Sequence, residues 1–149
     1  MNYFLISLLI VSNISFNTNK PISTEKIAEN PKLFDKYPSV IHFQSNIIND
    51  LVAREKDESI TAICDENFEF KGKILQNTQW NEDAQTIAVK LDSFPDDTKL
   101  IINIIKKDGK TIYRAHILNI RYPDAFKLTD YGGSKFVFTK ILTEKIVTE

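Results

Sequence analysis

The hydrophobic residues of the chain change their spacing near residue 59, and the change divides the sequence into two regions. Before it, apolar residues recur every three or four positions, at Val40, Ile41, Phe43, Ile47, Ile48, Leu51 and Val52. That spacing predicts one amphipathic helix over about 39–54, with its apolar stripe facing a core. After it, apolar and polar residues alternate, which is typical of half-buried strands.

The clearest pair of strands lies at residues 100–106 and 111–120, on either side of Asp108-Gly109. This dipeptide favours a type I′ turn, which requires positive φ at both central residues. The turn fixes the register of the hairpin as Lys107 with Lys110, Ile105 with Ile112, Ile104 with Tyr113, Asn103 with Arg114, Ile102 with Ala115, Ile101 with His116 and Leu100 with Ile117. One face of the hairpin is then continuously apolar, and the other is mixed.

Further alternating segments predict strands at 59–64, 68–75, 86–91, 124–129 and 134–139, and residues 141–147 are expected to close the sheet. Gly72 in the middle of a strand indicates a bulge or a close approach of another backbone. Consecutive antiparallel strands predict a mainly β protein. We expect a small antiparallel β-barrel or sandwich of seven or eight strands with one N-terminal amphipathic helix.

The N-terminus has the features of a targeting segment. An apolar run of the length found in signal peptides covers residues 4–16. This run is shorter than the roughly 20 residues that a spanning helix needs. We therefore predict a signal peptide over 1–19, a single β-rich domain over 20–149, and export to the periplasm or outside the cell. The alternative is a buried first element of a cytosolic domain. A polar lead-in with three prolines, Pro21, Pro31 and Pro38, precedes the predicted helix.

Composition narrows the function classes. The chain has 149 residues, 19 Lys or Arg and 20 Asp or Glu, for a net charge of −1. No overall field of one sign therefore favours nucleic acid or an anionic membrane as a partner. Cys64 is the single cysteine, which excludes an intramolecular disulfide and predicts a small buried side chain.

The sequence offers no recognisable catalytic, metal or cofactor motif. His42 and His116 are the only histidines, and a metal site needs three or four ligands at workable spacing. Glycine-rich phosphate loops and nucleophile motifs are absent from the sequence. We assign no catalytic residue, no metal and no cofactor, and we expect a protein that is not an enzyme.

Trp80 is the only tryptophan, and it lies in a polar segment, 76–85, that is predicted to connect two strands. Exposed aromatic residues on loops recognise proteins, peptides or glycans. The simpler interpretation is that Trp80 folds back over the edge of the sheet. Tyr122 and Tyr131 are further candidates for a binding surface.

The strings FEFKGKIL, QTIAVKL, DGKTIYRAHILNIRYPDAFKL and KFVFTKI, within residues 59–149, resemble a class of small exported bacterial proteins. In that class a signal segment precedes a β-rich domain of uncharacterised function. The resemblance carries no catalytic residue. The signal-like start, the β-rich body and the lack of a catalytic motif predict a non-enzymatic exported binding or accessory protein. Two alternatives remain: a small hydrolase or isomerase whose site lies in the barrel mouth and uses His116 and nearby carboxylates, or a structural domain that oligomerises through a sheet edge.

Overall fold

A computed structural model describes residues 31–65, 68–132 and 134–146, which form one antiparallel sheet and one α-helix. The predicted signal segment, residues 1–19, lies outside the described residues. The strands are β1 (Val40–Gln44), β2 (Ser59–Asp65), β3 (Phe68–Asn81), β4 (Ala84–Leu91), β5 (Lys99–Lys107), β6 (Lys110–Leu118), β7 (Asp124–Asp130) and β8 (Lys135–Leu142). The helix is α1 (Ser45–Ala53).

The sheet curls into a nearly closed barrel. Strands β2 to β8 follow one another as neighbours, and β1 pairs with β8, so β1 and β2 are the two edges of the sheet. These edges approach each other, and α1 joins the end of β1 to the start of β2. The mainly β prediction is confirmed in the form of a barrel. In the described part of the chain, no helix has the length and apolar character needed to cross a membrane.

The predicted β5–β6 hairpin is confirmed in every pairing. Lys107 lies opposite Lys110, and the remaining pairs follow without a shift. Asp108 and Gly109 have φ values of 53° and 71°. Both values are positive, as a type I′ turn requires. The turn therefore fixes which residues of both strands face the core.

Gly72 lies where two backbones approach closely. A Cβ atom built at this position would be 2.3 Å from the carbonyl oxygen of Lys90 and 2.9 Å from a methyl carbon of Val89. The bulge in this strand lies further along, between Ile74 and Gln76. Close approach at Gly72 and the bulge beyond it both help a sheet to bend into a barrel.

The predicted helix over 39–54 is wrong in its first part, because Val40–Gln44 forms strand β1 and the helix begins at Ser45. Within β1 only Ile41 and Phe43 are buried, so this segment follows the strand period of two. This segment forms a strand and not a helix because it pairs with β8. The β-branched and aromatic residues of the segment favour such pairing. Ile47, Ile48 and Leu51 of α1 are buried, as the helical stripe predicts.

Each end of the barrel interior is closed by side chains. The helix end is covered by α1. At the opposite end, here called the aromatic end, rings from five residues pack edge-to-face or tilted against one another: Phe34, Tyr37, Phe68, Phe94 and Phe126. Phe34 is fully buried although it belongs to the polar lead-in. Part of the lead-in is therefore part of the core.

The predicted closing strand at 141–147 is also wrong. Ile141 and Leu142 are the last residues of β8, and Thr143–Lys145 forms a short 3-10 turn. The neighbouring strand β7 begins at Asp124, which pairs with Leu142. One further backbone hydrogen bond, from the N–H of Thr143 to the carbonyl oxygen of Pro123 at 2.8 Å, precedes the turn, and the strand ends there. The other side of β8 is occupied by β1.

Candidate functional site

Trp80 lies on a strand, and the prediction of a polar connection over 76–85 is wrong. Strand β3 continues to Asn81 and β4 begins at Ala84, so only two residues form the turn. This stretch of β3 extends towards the helix end of the barrel and lacks apolar alternation because most of its side chains are exposed. Gln79 pairs with Gln85 and Asn81 with Ala84, which makes Trp80 the extra residue of a bulge.

The indole of Trp80 is exposed and yet held in place. Its side chain is 65% exposed, and its Nε1–H donates to Oγ1 of Thr86 on β4 at 3.0 Å. The Thr86 hydroxyl donates in turn to Oδ1 of Asn103 on β5 at 2.8 Å. The polar edge of the indole is satisfied within the protein, which leaves its apolar ring available to a ligand.

The hydrogen-bonded residues belong to one surface on the outside of the barrel wall. Thr78, Thr86, Asn103 and Arg114 lie opposite one another on β3, β4, β5 and β6 and therefore share a face. Gln76 belongs to the same face, because its Nε2 donates to Oγ1 of Thr78 at 3.0 Å. We call the surface formed by Gln76, Thr78, Trp80, Thr86, Asn103 and Arg114 the Trp80 face.

Two residues of the Trp80 face, Asn103 and Arg114, have hydrogen-bond donors that no described residue occupies. Oδ1 of Asn103 accepts the Thr86 hydroxyl, so the Asn103 amide nitrogen is free to donate. Arg114 is exposed and makes no ion pair with a described residue. The face thus combines an apolar ring with hydrogen-bond donors that suit oxygen acceptors on a ligand.

The opposite side of the β3 extension attaches to the helix. Nδ2 of Asn77 donates to the carbonyl oxygens of Arg54 at 2.7 Å and Val52 at 3.1 Å, and so satisfies groups at the C-terminal end of α1. Gln85 on β4 donates to Oδ1 of Asn77 at 2.8 Å. These bonds hold the strand that carries Trp80 against the barrel, so the Trp80 face is built on a fixed element.

The three aromatic candidates do not form one site. Trp80 is near the end of β3 and Tyr131 follows β7; since these strands run in the same direction, both residues lie towards the helix end. Tyr122 precedes β7 and lies at the aromatic end, half-buried, with its backbone N–H bonded to Asn119. Tyr131 is 69% exposed, on the turn between β7 and β8.

A cleft opens where β6 and β7 separate. Their pairing ends at His116 with Lys127, and beyond it a cleft of about 450 Å³ is lined by Arg114, Ala115, His116, Lys127 and Leu128. This lining contains three basic residues and no carboxylate. His116 lies between the buried Ala115 and Ile117, on the outer side of the wall, whereas Cys64 lies in the core.

Buried side chains from every strand fill the barrel interior. Among the described residues, no group of three or more His, Cys, Asp or Glu side chains is arranged to hold a metal ion. The Trp80 face offers a ligand both an aromatic ring and hydrogen-bond donors, and in the sequence only Trp80 itself indicated it. Comparison of the chain with protein-family models, curated proteins and solved structures gives no match.

Proposed function

We propose that the protein is an exported, non-enzymatic binding module that recognises its ligand on the Trp80 face. Export is supported by the apolar segment over residues 4–16. Recognition on the outside is supported by the filled interior of the barrel, whose helix end and aromatic end are both covered by side chains. A ligand that binds such a barrel meets its outer wall.

The observation that carries the proposal is the restrained exposure of Trp80. A tryptophan that covers the edge of a sheet removes its own apolar area from water. Trp80 instead remains 65% exposed. Its hydrogen bond to Thr86 restricts the side chain before any ligand arrives. A restrained aromatic residue loses little conformational entropy on binding, and this property makes tryptophan an effective residue at recognition surfaces.

The direct test measures binding to the isolated cell envelope of the native host by sedimentation with purified protein. Trp80→Ala is compared with wild type and with Tyr131→Ala, which removes a similarly exposed ring outside the Trp80 face. We expect Trp80→Ala to weaken binding about thirtyfold, which corresponds to roughly 2 kcal/mol for an aromatic residue at the centre of an interface. Tyr131→Ala should bind as wild type does.

The free energy of unfolding of the same variants shows whether Trp80 acts in binding or in folding. Because Trp80 is mostly exposed, Trp80→Ala should change the free energy of unfolding by less than about 1 kcal/mol. Equal envelope binding by wild type and Trp80→Ala would overturn the proposal. So would a loss of binding that is accompanied by a large loss of stability, because Trp80 would then be a structural residue.

A further inference from the structure

We infer that the ligand of the Trp80 face is an acidic polysaccharide, a chain of sugar rings that carry carboxylate or sulfate groups. The inference rests on the proposed function and specifies the chemistry of the ligand. It is carried by the distribution of charge on strands β4, β5 and β6, by the fixed indole of Trp80, and by the hydrogen-bond donors beside it.

Charge is segregated on this side of the barrel. Strands β4, β5 and β6 contain no Asp or Glu, although the whole chain has a net charge of −1. Their basic residues are Lys90, Lys99, Lys106, Lys107, Lys110 and Arg114. The strands themselves therefore carry only positive charge, and the carboxylates of this region, Glu82, Asp83, Asp92, Asp96, Asp97 and Asp108, lie in the turns and loops at the strand ends.

The sheet places like charges directly opposite one another. Lys73, Lys90 and Lys99 are neighbours in one row across β3, β4 and β5, and Lys107 faces Lys110 beside the turn. Like charges in such pairs destabilise a sheet. An ion pair with Asp57 at 3.0 Å reduces the repulsion on Lys73, and an ion pair with Asp96 at 3.2 Å reduces it on Lys90. Lysines that lie opposite one another destabilise the sheet by repulsion, and a bound anion would reduce that repulsion.

Several of these cations are available to a ligand. Lys99, Lys107, Lys110 and Arg114 make no ion pair with a described residue. In the register of β5 and β6, Arg114 lies opposite Asn103, four residues along β5 from Lys99 and four from the Lys107–Lys110 pair. At about 3.3 Å per residue these charges are separated by roughly 13 Å along the strands, a distance that an extended chain of a few sugar units can span. A polyanion with regularly spaced charges can contact several of them together, and each contact releases counterions.

The remainder of the Trp80 face favours sugar over nucleic acid. Proteins that bind single strands stack successive bases on several aromatic side chains. On the outer face of β3 to β6, within the part of the chain that the structure describes, Trp80 is the only Phe, Trp or Tyr. One indole can stack on the apolar face of one sugar ring, while the Asn103 amide and the Arg114 guanidinium donate to hydroxyl and acidic oxygens.

The test uses the full chain with three probes: dextran sulfate, dextran as its uncharged counterpart, and polygalacturonate as a carboxylated chain. Binding is followed through Trp80 fluorescence and calorimetry. Both acidic probes should bind, dextran should not, and affinity for the acidic probes should fall at least about tenfold between about 50 and 200 mM salt. Trp80→Ala should weaken binding of the acidic probes about thirtyfold in calorimetry.

Charge variants identify the surface. Lys99→Gln and Arg114→Gln should each weaken binding several-fold and lower the salt slope by about one. Lys36→Gln makes the same change on the exposed segment before β1 and should leave binding unaltered. Lys99→Gln also removes the repulsion with Lys90, so its stability should equal or exceed that of wild type while its binding is weaker.

Four results would overturn the inference. If dextran binds as tightly as dextran sulfate, the protein does not recognise the acidic groups. If the acidic probes bind Trp80→Ala and Arg114→Gln as tightly as wild type, the binding is a non-specific attraction between polyanion and protein that does not use the Trp80 face. Tighter binding of single-stranded DNA than of both acidic polysaccharides at equal salt would assign the face to nucleic acid. Envelope binding that depends on Trp80, together with no binding of either acidic probe, would reject the polysaccharide and retain the proposed function.

Discussion

The carboxylate of Asp124 accepts a hydrogen bond from the backbone N–H of Phe34 at 2.8 Å, which joins positions 90 residues apart. Its other oxygen accepts the N–H of Leu33 at 2.7 Å. Asp124 is buried at the start of β7, and Phe34 inserts its ring into the aromatic end of the barrel. One carboxylate thus fixes the segment that closes this end of the core.

Replacing Asp124 by Asn should loosen that segment. The amide keeps the size of the side chain but presents an NH₂ group to one of the two backbone donors, so we expect a loss of about 1–3 kcal/mol in the free energy of unfolding. Chemical denaturation measures the loss, and hydrogen exchange at Leu33 and Phe34 localises it. Asp35→Asn changes an exposed side chain on the same segment. Its stability should stay within about 0.5 kcal/mol of wild type. Unchanged stability and exchange in Asp124→Asn would contradict this account.

Gly72→Ala and Gly109→Ala should lower the free energy of unfolding by different amounts, because different physical effects require glycine at the two positions. Gly72→Ala places a Cβ atom against the backbone of Lys90, so we expect a loss of about 3 kcal/mol or a failure to fold. At Gly109 an added Cβ meets nothing within 4 Å, but the φ is 71°. That conformation is unfavourable for alanine and should cost about 1 kcal/mol. Urea titration of both variants provides the comparison. Equal losses would mean that close packing at Gly72 is not what requires glycine there.

Elements that depend on contacts between neighbours in sequence could be predicted, and elements that depend on contacts between distant residues could not. The β5–β6 hairpin could be predicted residue by residue, because the Asp108-Gly109 turn fixes the register locally. Strand β1 could not, because its partner β8 lies more than ninety residues away, and only that pairing selects a strand over the helical stripe. The burial of Phe34 could not be predicted for the same reason, since Phe34 lies in a mostly polar lead-in without apolar periodicity and its contacts are with residues distant in sequence.

The candidate site was only partly visible in the sequence. Trp80 stood out as a large apolar residue in a polar stretch, but that stretch is a strand with few buried side chains and so lacks the alternation that reveals strands. The roles of Thr86, Asn103 and Arg114 depend on cross-strand register over four strands. A usable signal was present in the absence of Asp and Glu from β4, β5 and β6, which the near-zero net charge of the chain obscured.

The ion pair between Asp57 and Lys73 should make a small contribution to the free energy of unfolding that is lost in acid. The hydrogen bond from Lys73, and then its charge, lower the pKa of the Asp57 carboxyl below 3.8, the ordinary value. A lowered pKa stabilises the folded state above the unfolded-state pKa, and this contribution is lost as the pH falls through the folded-state pKa. The effect is small, because the Asp57 side chain is exposed and water screens the pair.

Asp57→Asn tests this pH dependence without new backbone strain. The φ at this position is 73°, and asparagine also tolerates positive φ. Urea midpoints of wild type and variant should differ slightly near neutral pH and converge below the ordinary carboxyl pKa. Added salt should reduce the difference at neutral pH. A difference that persists unchanged in acid would show that the ion pair is not its source.

Thr86→Val should release the indole of Trp80 without unfolding the protein. Valine has nearly the same shape but cannot accept the Nε1–H bond or donate to Asn103. The site is at the surface, so we expect a loss of no more than about 1 kcal/mol. Time-resolved fluorescence anisotropy of Trp80 should reveal faster local motion in the variant. Identical anisotropy decays in the two proteins would mean that the hydrogen bond does not restrain the ring.

The central claim, that Trp80 is exposed on a positive surface, is tested most directly by ionic quenching of its fluorescence. The signal is unambiguous because the chain has one tryptophan. At low ionic strength, the ratio of the iodide to the caesium quenching constant should be higher for the red-shifted emission of Trp80 than for free N-acetyltryptophanamide, because the cations of β4 to β6 attract the anion and repel the cation. The ratio should approach that of the free amide with added salt. A blue-shifted emission that neither ion quenches, or a ratio below that of the free amide, would contradict the account.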